Sequence, residues 1–400
     1  MSQPRASSTS SSAPAAAAAS SPAKPIPRKW NAGSLAKVPK GDKGDEQYAS
    51  ILATVPRTTN PTCLADFGYE YTADGRLVQQ ATKAPFAWLG QKHYDFLGEA
   101  IVNDLYAMLE ARFGLERVPF PAHPVSEKGK AAGDSRVTAP VFVSPGFEKA
   151  ETLVILCQGS GAVRPGMWAR ALCINNSLKE GTIFTYLEEI QKRGWAVIVC
   201  NPNQSSVVPQ PTQVQVNLSL EDACDFWLGT PDPQWKRMNL EREKSAAAVE
   251  GCETPMDHIC TVWEQLVRPA AAKRVPIIAH SFGGICTTTL ACDFPDEFDA
   301  RVPAIAWTDA INNVERCLSQ SPKCPADRKL ATKMLSDRMA VIRDRSVNWV
   351  ASTAKLDTPL RSPSKCVELS AGHDTHEWTS AACWTSVFKF LDKKIGVSTQ

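Results

Sequence analysis

The chain has 400 residues, 43% hydrophobic and 22% charged, a globular mix with enough length for one large domain or two ordinary ones. Lys plus Arg total 44 against 42 Asp plus Glu, a net charge of +2, which leaves no basic surplus for a protein whose main task is to coat nucleic-acid phosphates. No run of 18 apolar residues is present, which excludes a transmembrane helix.

Residues 1–60 differ from the rest. The stretch SSTSSSAPAAAAASSPAKPIP buries too little apolar surface to offset ordering entropy, so a disordered leader is expected. Arg5, Lys24, Arg28 and Lys29 precede the first acid, Asp42, which also fits an organellar transit peptide; a plain tail is preferred, because no amphipathic Arg-rich period appears. Order is expected from about Cys63, as one domain over 61–395. The run FGYEYTADGRLVQ reads as a hairpin turning at Asp74-Gly75. Leu97, Ile101, Leu105 and Met108 then fall at helical spacing, with Gly114 as the stop. Residues 120–138 read as a polar loop.

From residue 150 the pattern alternates. Leu153–Cys157 is a short continuous apolar run, the mark of a strand buried on both faces. A helix with Ile183, Leu187 and Ile190 on one face follows, stopped by Gly194, and then a second buried strand at 195–200. Residues 201–250 are irregular and proline-punctuated, a lid or a surface insertion. Helix initiation at Thr254-Pro255, a strand at 275–279, a helix at 283–292, a strand at 302–307, a helix near 326–343, a strand at 366–370 and a last helix with Trp384, Val387, Phe388 and Leu391 on one stripe complete the chain. Strands alternating with helices predict a mostly parallel α/β sheet with helices on both faces. Its chemistry is expected just past the carboxyl ends of the strands.

One such end reads Ala279-His280-Ser281-Phe282-Gly283-Gly284, close to the G-x-S-x-G elbow that lifts a nucleophilic serine onto a sharp strand-to-helix turn. Small residues two before and two after the serine are required, and Ala279 and Gly283 supply them. The bases available are six histidines: His93, His123, His258, His280, His373 and His376. His93 and His258 sit in predicted helices, and His280 is expected to point away from the serine hydroxyl. The loop after the last strand carries the other pair; His376 is the preferred base and His373 the alternative. Asp309, at the end of the strand after the serine, is the preferred orienting acid, and Asp357 competes with it. Oxyanion donors would be the Phe282 N–H and the Gly159-Ser160-Gly161 loop. That loop fails as a dinucleotide or phosphate loop, because Arg164 and Met167 stand where glycine and lysine are needed. The H-x-x-H pair lacks a third ligand, so no metal and no cofactor is implied. The thirteen cysteines are scattered, contain no C-x-x-C pair and often lie in apolar runs, so they read as buried free thiols of a reducing compartment.

Together these motifs resemble one family. The carriers are Gln158-Gly-Ser-Gly161, the run from Val163 through Trp168 to Arg170, Asn201-Pro-Asn203, the Ser281 elbow, Thr308-Asp309, Asn348-Trp-Val350, Leu356-Asp-Thr358, and Ser370 through His376-Glu377 to Thr379-Ser380. They resemble the Argonaute-binding-protein-two (Arb-two) domain family, which includes the animal family-172 cotranscriptional regulators. The similarity runs from about Cys63 to about Lys393. It implies an α/β-hydrolase-like fold, with Ser281 as nucleophile and His376 as base. It also implies a component of small-RNA-linked chromatin or co-transcriptional regulation, partnered by Argonaute or chromatin proteins, in the nucleus, the cytoplasm or both. The transit-peptide reading of residues 1–60 would instead place the chain in an organelle. The constellation of residues alone implies a serine esterase acting on a small acyl ester. Neither direct nucleic-acid contact nor a membrane partner is expected.

Overall fold

The computed structural model describes residues 51–125, 136–207, 216–229, 246–361 and 366–396. The expected hairpin is present, β1 (Tyr69–Tyr71) pairing antiparallel with β2 (Leu77–Gln79). Helix Gln91–Phe113 follows and ends at Gly114, whose φ of +64° costs glycine nothing.

An eight-stranded sheet forms the middle of the molecule. Its strands are β3 (Glu116–Phe120), β4 (Ala139–Val143), β5 (Leu153–Cys157), β6 (Ala196–Val199), β9 (Ile277–His280), β10 (Ile305–Thr308), β11 (Ser346–Val350) and β12 (Val367–Ser370). Two further short strands, β7 (Ser206–Val207) and β8 (Ala247–Ala248), pair with each other apart from it. The spatial order is β12-β11-β10-β9-β5-β6-β4-β3. From β12 to β6 every neighbour is parallel; β4 and β3 run antiparallel at one edge. This is the α/β-hydrolase-like architecture. The loop expected at 120–138 falls between β3, which ends at Phe120, and β4, which begins at Ala139; its residues 126–135 lie outside the described residues.

Helices cover both faces. Helices Gln91–Phe113, Phe184–Lys192 and Thr379–Ile395 pack on one face, around Leu156, Ile278, Ala306 and Trp349. Helices Pro255–Val262, Gly283–Asp293, Val314–Gln320 and Arg328–Arg345 pack on the other, around Ile155, Ile277, Ile305 and Trp307. Side chains two apart on a strand point the same way, so Ile277 and Ile278 serve opposite cores. Burial on both faces is why these strands read as unbroken apolar runs. All thirteen cysteines are free thiols.

Two expectations are corrected. Residues 51–60 were placed in the leader, yet Val55 is buried with Ala223, Cys224 and Trp227, and Thr58 bridges to Asn217; the rest of the leader lies outside the described residues. Residues 201–250 were read as irregular, yet Leu220–Leu228 is a helix, capped by the Ser219 hydroxyl accepting from the Asp222 N–H. It packs on helix Gln91–Phe113, where Lys92 donates to the Phe226 carbonyl at 2.9 Å. Among the described residues no helix is long and apolar enough to cross a membrane.

Three histidines are enclosed by this packing. Burial pushes His93 down to about 4, His258 down to about 3 and His280 down to about 4, the last helped by neighbouring His376. Each folded value lies below the 6.5 of a free imidazole, so the unfolded chain takes the proton first as pH falls. Their contribution is complete above pH 6.5 and is lost as pH drops from there toward 4. Unfolding near pH 5 should therefore take up about three protons from these groups. His258 accepts from the Asn201 N–H, and His258→Gln, whose amide oxygen can accept the same bond, should reduce that uptake by about one. Denaturant titrations from pH 7 to 5 measure this; an unchanged slope in the variant would count against it.

Candidate active site

The site grows out of two neighbouring strand ends. Strands β5 and β9 pair in parallel with Cys157 opposite Ala279, so the residues that follow each emerge side by side. The chain leaves β5 toward β6 on one side and returns with β9 on the other, the topological switch at which a crevice opens.

Ser281 follows β9 with φ +52°, a left-handed conformation rare for a residue with a Cβ. Its backbone is held on several sides. Its N–H donates to Thr308 O at 3.2 Å, and its carbonyl accepts from Gly284 N at 3.1 Å and Ile311 N at 3.0 Å. The glycines around it are steric requirements. A Cβ on Gly159 would lie 2.7 Å from Ser281 Cβ, one on Gly283 would lie 2.6 Å from Cys157 O, and one on Gly284 would lie 2.3 Å from Ile311 O. Helix Gly283–Asp293 starts here. The Phe282 N–H, at its amino end, has no acceptor among the described residues, as expected of the first N–H groups of a helix.

The loop after β5 faces this turn. Asn203 Nδ2 donates to Gly159 O at 2.7 Å and to Val163 O at 3.3 Å, which pins Gly159, Ser160 and Gly161 beside the serine. A cavity of about 270 Å³ results, lined among others by Gly159, Ser160, Trp168, His280, Ser281 and His376. Among the described residues of 201–250, none lines it.

The acid and base positions divide clearly. Asp309 follows β10 with φ +49°, and its Oδ2 accepts from His376 Nδ1 at 2.6 Å. Its other oxygen accepts from Ala351 N at 3.2 Å. Burial raises the Asp309 carboxyl, but the bonds from His376 and Ala351 outweigh it and hold the group below its ordinary value. The same hydrogen bond raises His376 above its ordinary value, against the opposing effect of partial burial. Nδ1 donates to the carboxylate, so the neutral ring keeps its lone pair on Nε2. Asp357 is engaged elsewhere, accepting from Trp349 Nε1 at 2.8 Å and from Ser386 Oγ at 2.6 Å. His373 stacks on Trp378 and accepts from Thr375 N at 3.0 Å. The structure thus brings His376 and Asp309 together and keeps His373 and Asp357 apart from them. Ser281 and His376 line one cavity, and no hydrogen bond joins them.

His280 is the residue that sequence reasoning misplaced. Expected to point away from the serine hydroxyl, it lines the same cavity, its ring centroid 4.6 Å from that of His376. Its Nδ1 donates to Thr308 O at 2.7 Å, because a carbonyl only accepts. Trp168 and Arg170 also line the cavity. They were visible only inside the family-like run beginning at Val163, without a role.

The Arb2 domain family matches residues 60–323. The chain belongs to the Arb2 domain family. The match includes the Gly159 loop, Ser281 and Asp309; His376 lies beyond it, in a short 3-10 helix after β12. The Arb2 relatives include the cotranscriptional regulator ARB2A homolog of Xenopus tropicalis, 30% identical over 363 residues, 83% of this chain and 79% of that protein. The Gallus gallus homolog is 29% identical over 363 residues, 83% and 80% of the two chains. Homo sapiens ARB2A is 29% identical over 361 residues, again 83% and 80%. Among solved structures the chain is similar to the histone deacetylase Clr3, with TM-score 0.41 and 13% identity, covering 78% of this chain and 41% of that one. It is also similar to the esterase LipW from Mycobacterium marinum, with TM-score 0.29 and 13% identity, covering 68% and 74%.

The His376–Asp309 bond fixes a measurable sign. A raised folded pKa stabilises the fold fully below the free-imidazole value, and that contribution fades as pH rises through the folded value. NMR titration of the His376 ring should give a midpoint above 6.5, and Asp309→Asn should lower it. A midpoint at or below 6.5 in the wild-type chain, or no fall in the variant, would contradict the pairing.

Proposed function

We propose that this chain is a cotranscriptional regulator that works inside a protein complex, in the Argonaute or chromatin setting of small-RNA-linked regulation. The observation that carries the reading is the match to regulators of that name over about four-fifths of both chains. The net charge of +2 supports contact with partner proteins over direct contact with nucleic acid. The nucleus and the cytoplasm are the compartments this role requires. Affinity purification of the tagged chain from its native cells is expected to recover Argonaute or chromatin proteins. Recovery of neither, with the chain confined to an organelle, would refute the reading.

The site favours a second reading, a serine hydrolase acting on a small acyl ester. What supports it is Ser281 held at φ +52° beside the His376–Asp309 pair. In this reading Ser281 Oγ attacks the ester carbonyl carbon as its proton passes to His376 Nε2. The Phe282 N–H and the loop at Gly159, Ser160 and Gly161 stabilise the oxyanion. The C–O bond to the alcohol breaks, His376 returns the proton to the departing oxygen, and water then hydrolyses the acyl-serine by the same steps. Ser281 and His376 line the same cavity, and catalytic hydrogen bonds commonly tighten in the substrate complex. Because His376 must be neutral to act as base and its pKa is raised, the acid limb of the rate profile is expected above the ordinary imidazole range.

A fluorophosphonate probe is expected to label the wild-type chain and not Ser281→Ala. Asp309→Asn is expected to lower ester turnover by about 10⁴-fold, the cost of losing the correct imidazole tautomer. A folded wild-type chain that resists the probe would exclude the hydrolase reading and leave the first untouched.

A further inference from the structure

The mouth of the Ser281 cavity carries a cationic group with a built seat. Arg170 lines the cavity together with Tyr94, Trp168 and Glu377. Its guanidinium lies over the Tyr94 ring, 4.6 Å from the centroid, which fixes the plane of the fork. Room for it comes from Gly98, buried inside helix Gln91–Phe113. A Cβ on Gly98 would lie 2.9 Å from Arg170 Nη1. Glycine inside a helix is disfavoured relative to alanine, so the helix accepts a local penalty where the arginine needs space.

Among the described residues the charge on Arg170 is only loosely answered. The nearest carboxylate oxygen, Asp95 Oδ1, stands 3.9 Å from Nη2 and also accepts from Gln91 Nε2 at 2.8 Å. A second donor lies two residues away. Trp168 is 2% exposed, and its Nε1 is buried without an acceptor. Gln158, 3% exposed at the base of the same loop, has its Nε2 buried in the same condition. A buried donor with no partner is uncommon and calls for an acceptor. Neither Gln158 nor Phe282 lines the cavity, and Arg170 is the one permanent cation among the described residues that do, beside two imidazoles, two serines, Tyr94 and Glu377. Glu377, exposed at the rim, is the one carboxylate among the described lining residues and opposes an anionic occupant.

We propose that the cavity selects acyl groups that end in an anion, half-esters of short dicarboxylic acids, with Arg170 as the residue that binds the distal carboxylate. The acyl part of this inference rests on the hydrolase reading of Ser281; the carboxylate part rests on Arg170 alone. A planar fork suits a carboxylate through two parallel N–H···O bonds. The volume of about 270 Å³ is that of roughly nine water molecules at about 30 Å³ each, enough for a short dicarboxylic chain. Neutral acyl groups of the same length leave the guanidinium unanswered, and the dianionic free acid gives up the ester carbonyl that the oxyanion donors address.

Binding to the full-length Ser281→Ala chain separates recognition from turnover. By calorimetry, monomethyl glutarate is expected to bind at least about tenfold more tightly than dimethyl glutarate, the margin of one hydrogen bond to a charged group. Arg170→Gln should remove the difference, Arg170→Lys should keep part of it, and Glu377→Gln should widen it by removing the repelling charge. Equal binding of the two esters, or a preference that survives Arg170→Gln, would overturn the proposal. General damage to the cavity would weaken both esters alike and leave their ratio unchanged, and the Lys variant keeps the test open if the Gln variant does not fold. Turnover by the wild-type chain is read separately. Charge-selective binding with no hydrolysis of monomethyl glutarate would sink the hydrolase reading and uphold the anion site.

Discussion

The close approach of two backbones at the carboxyl ends of β5 and β9 is the constraint from which the rest of the site follows. Cys157 and Ala279 stand opposite each other in the ladder. Each strand then turns away, and the space between the turns is too small for a side chain at 159 or 283. Removing those side chains lets Ser281 adopt φ +52°, which costs of order 1–3 kcal/mol for a residue with a Cβ. Such a conformation persists only when its surroundings over-determine it. Here the backbone bonds of Ser281 to Thr308, Gly284 and Ile311 do so. The same contacts tie the elbow to the end of β10, which sets where Asp309 begins.

Two imidazoles share the resulting cavity, and their environments give them opposite duties. Their ring centroids are 4.6 Å apart, too close for both to carry charge without mutual cost. Burial and the neighbouring ring keep His280 neutral, its Nδ1–H donated to Thr308 O. The Thr308 hydroxyl in turn bonds to Ser380 Oγ at 2.7 Å, and the Ser380 carbonyl accepts from Tyr186 OH at 2.8 Å. This chain fixes His280 as a neutral wall. The Asp309 carboxylate instead favours the proton on His376. A proton entering the cavity therefore has one destination, the ring that is half exposed and paired.

What the sequence made legible follows from burial. Leu153–Cys157 and Ile277–His280 are buried on both faces and appear as unbroken apolar runs. Strands β3 and β4 hid because Pro119 and Pro140 sit in them, opposite each other in the ladder, and proline in a run argues against reading it as a strand. Strand β11 hid for another reason. Asn348 inside SVNWV reads as a loop residue, yet its amide is satisfied on both sides, accepting from Ala310 N at 3.1 Å and donating to Ala310 O at 2.9 Å. In the site, the serine was legible because its steric demand is local and written in the spacing of small residues. The choice between Asp309 and Asp357 was not. Both follow strands and both adopt positive φ, so only the partners separate them: Trp349 and Ser386 for one, His376 for the other. His280 was misjudged because the elbow was expected to turn it away from the hydroxyl. The backbone does send its ring to the face that carries Ile278, but the crevice opens above that same face.

The local penalties in this fold are informative about where ligand contact belongs. A module that only presents its outer surface to a partner protein has no use for a non-glycine residue at φ +52° or for a glycine inside helix Gln91–Phe113. Each could be relieved without touching that surface, for instance by alanine at 98 and a smaller guest than Arg170. Relieving them would, however, collapse or flatten one cavity, the one that Ser281, His376, Trp168 and Arg170 share. The strained Ser281 backbone and the room made for Arg170, both at one cavity, are the physical signature of a site shaped for an occupant. The regulatory role of the Arb2 family and a small-molecule site are therefore compatible within one domain. An occupant of the cavity would stabilise the strand ends that form it.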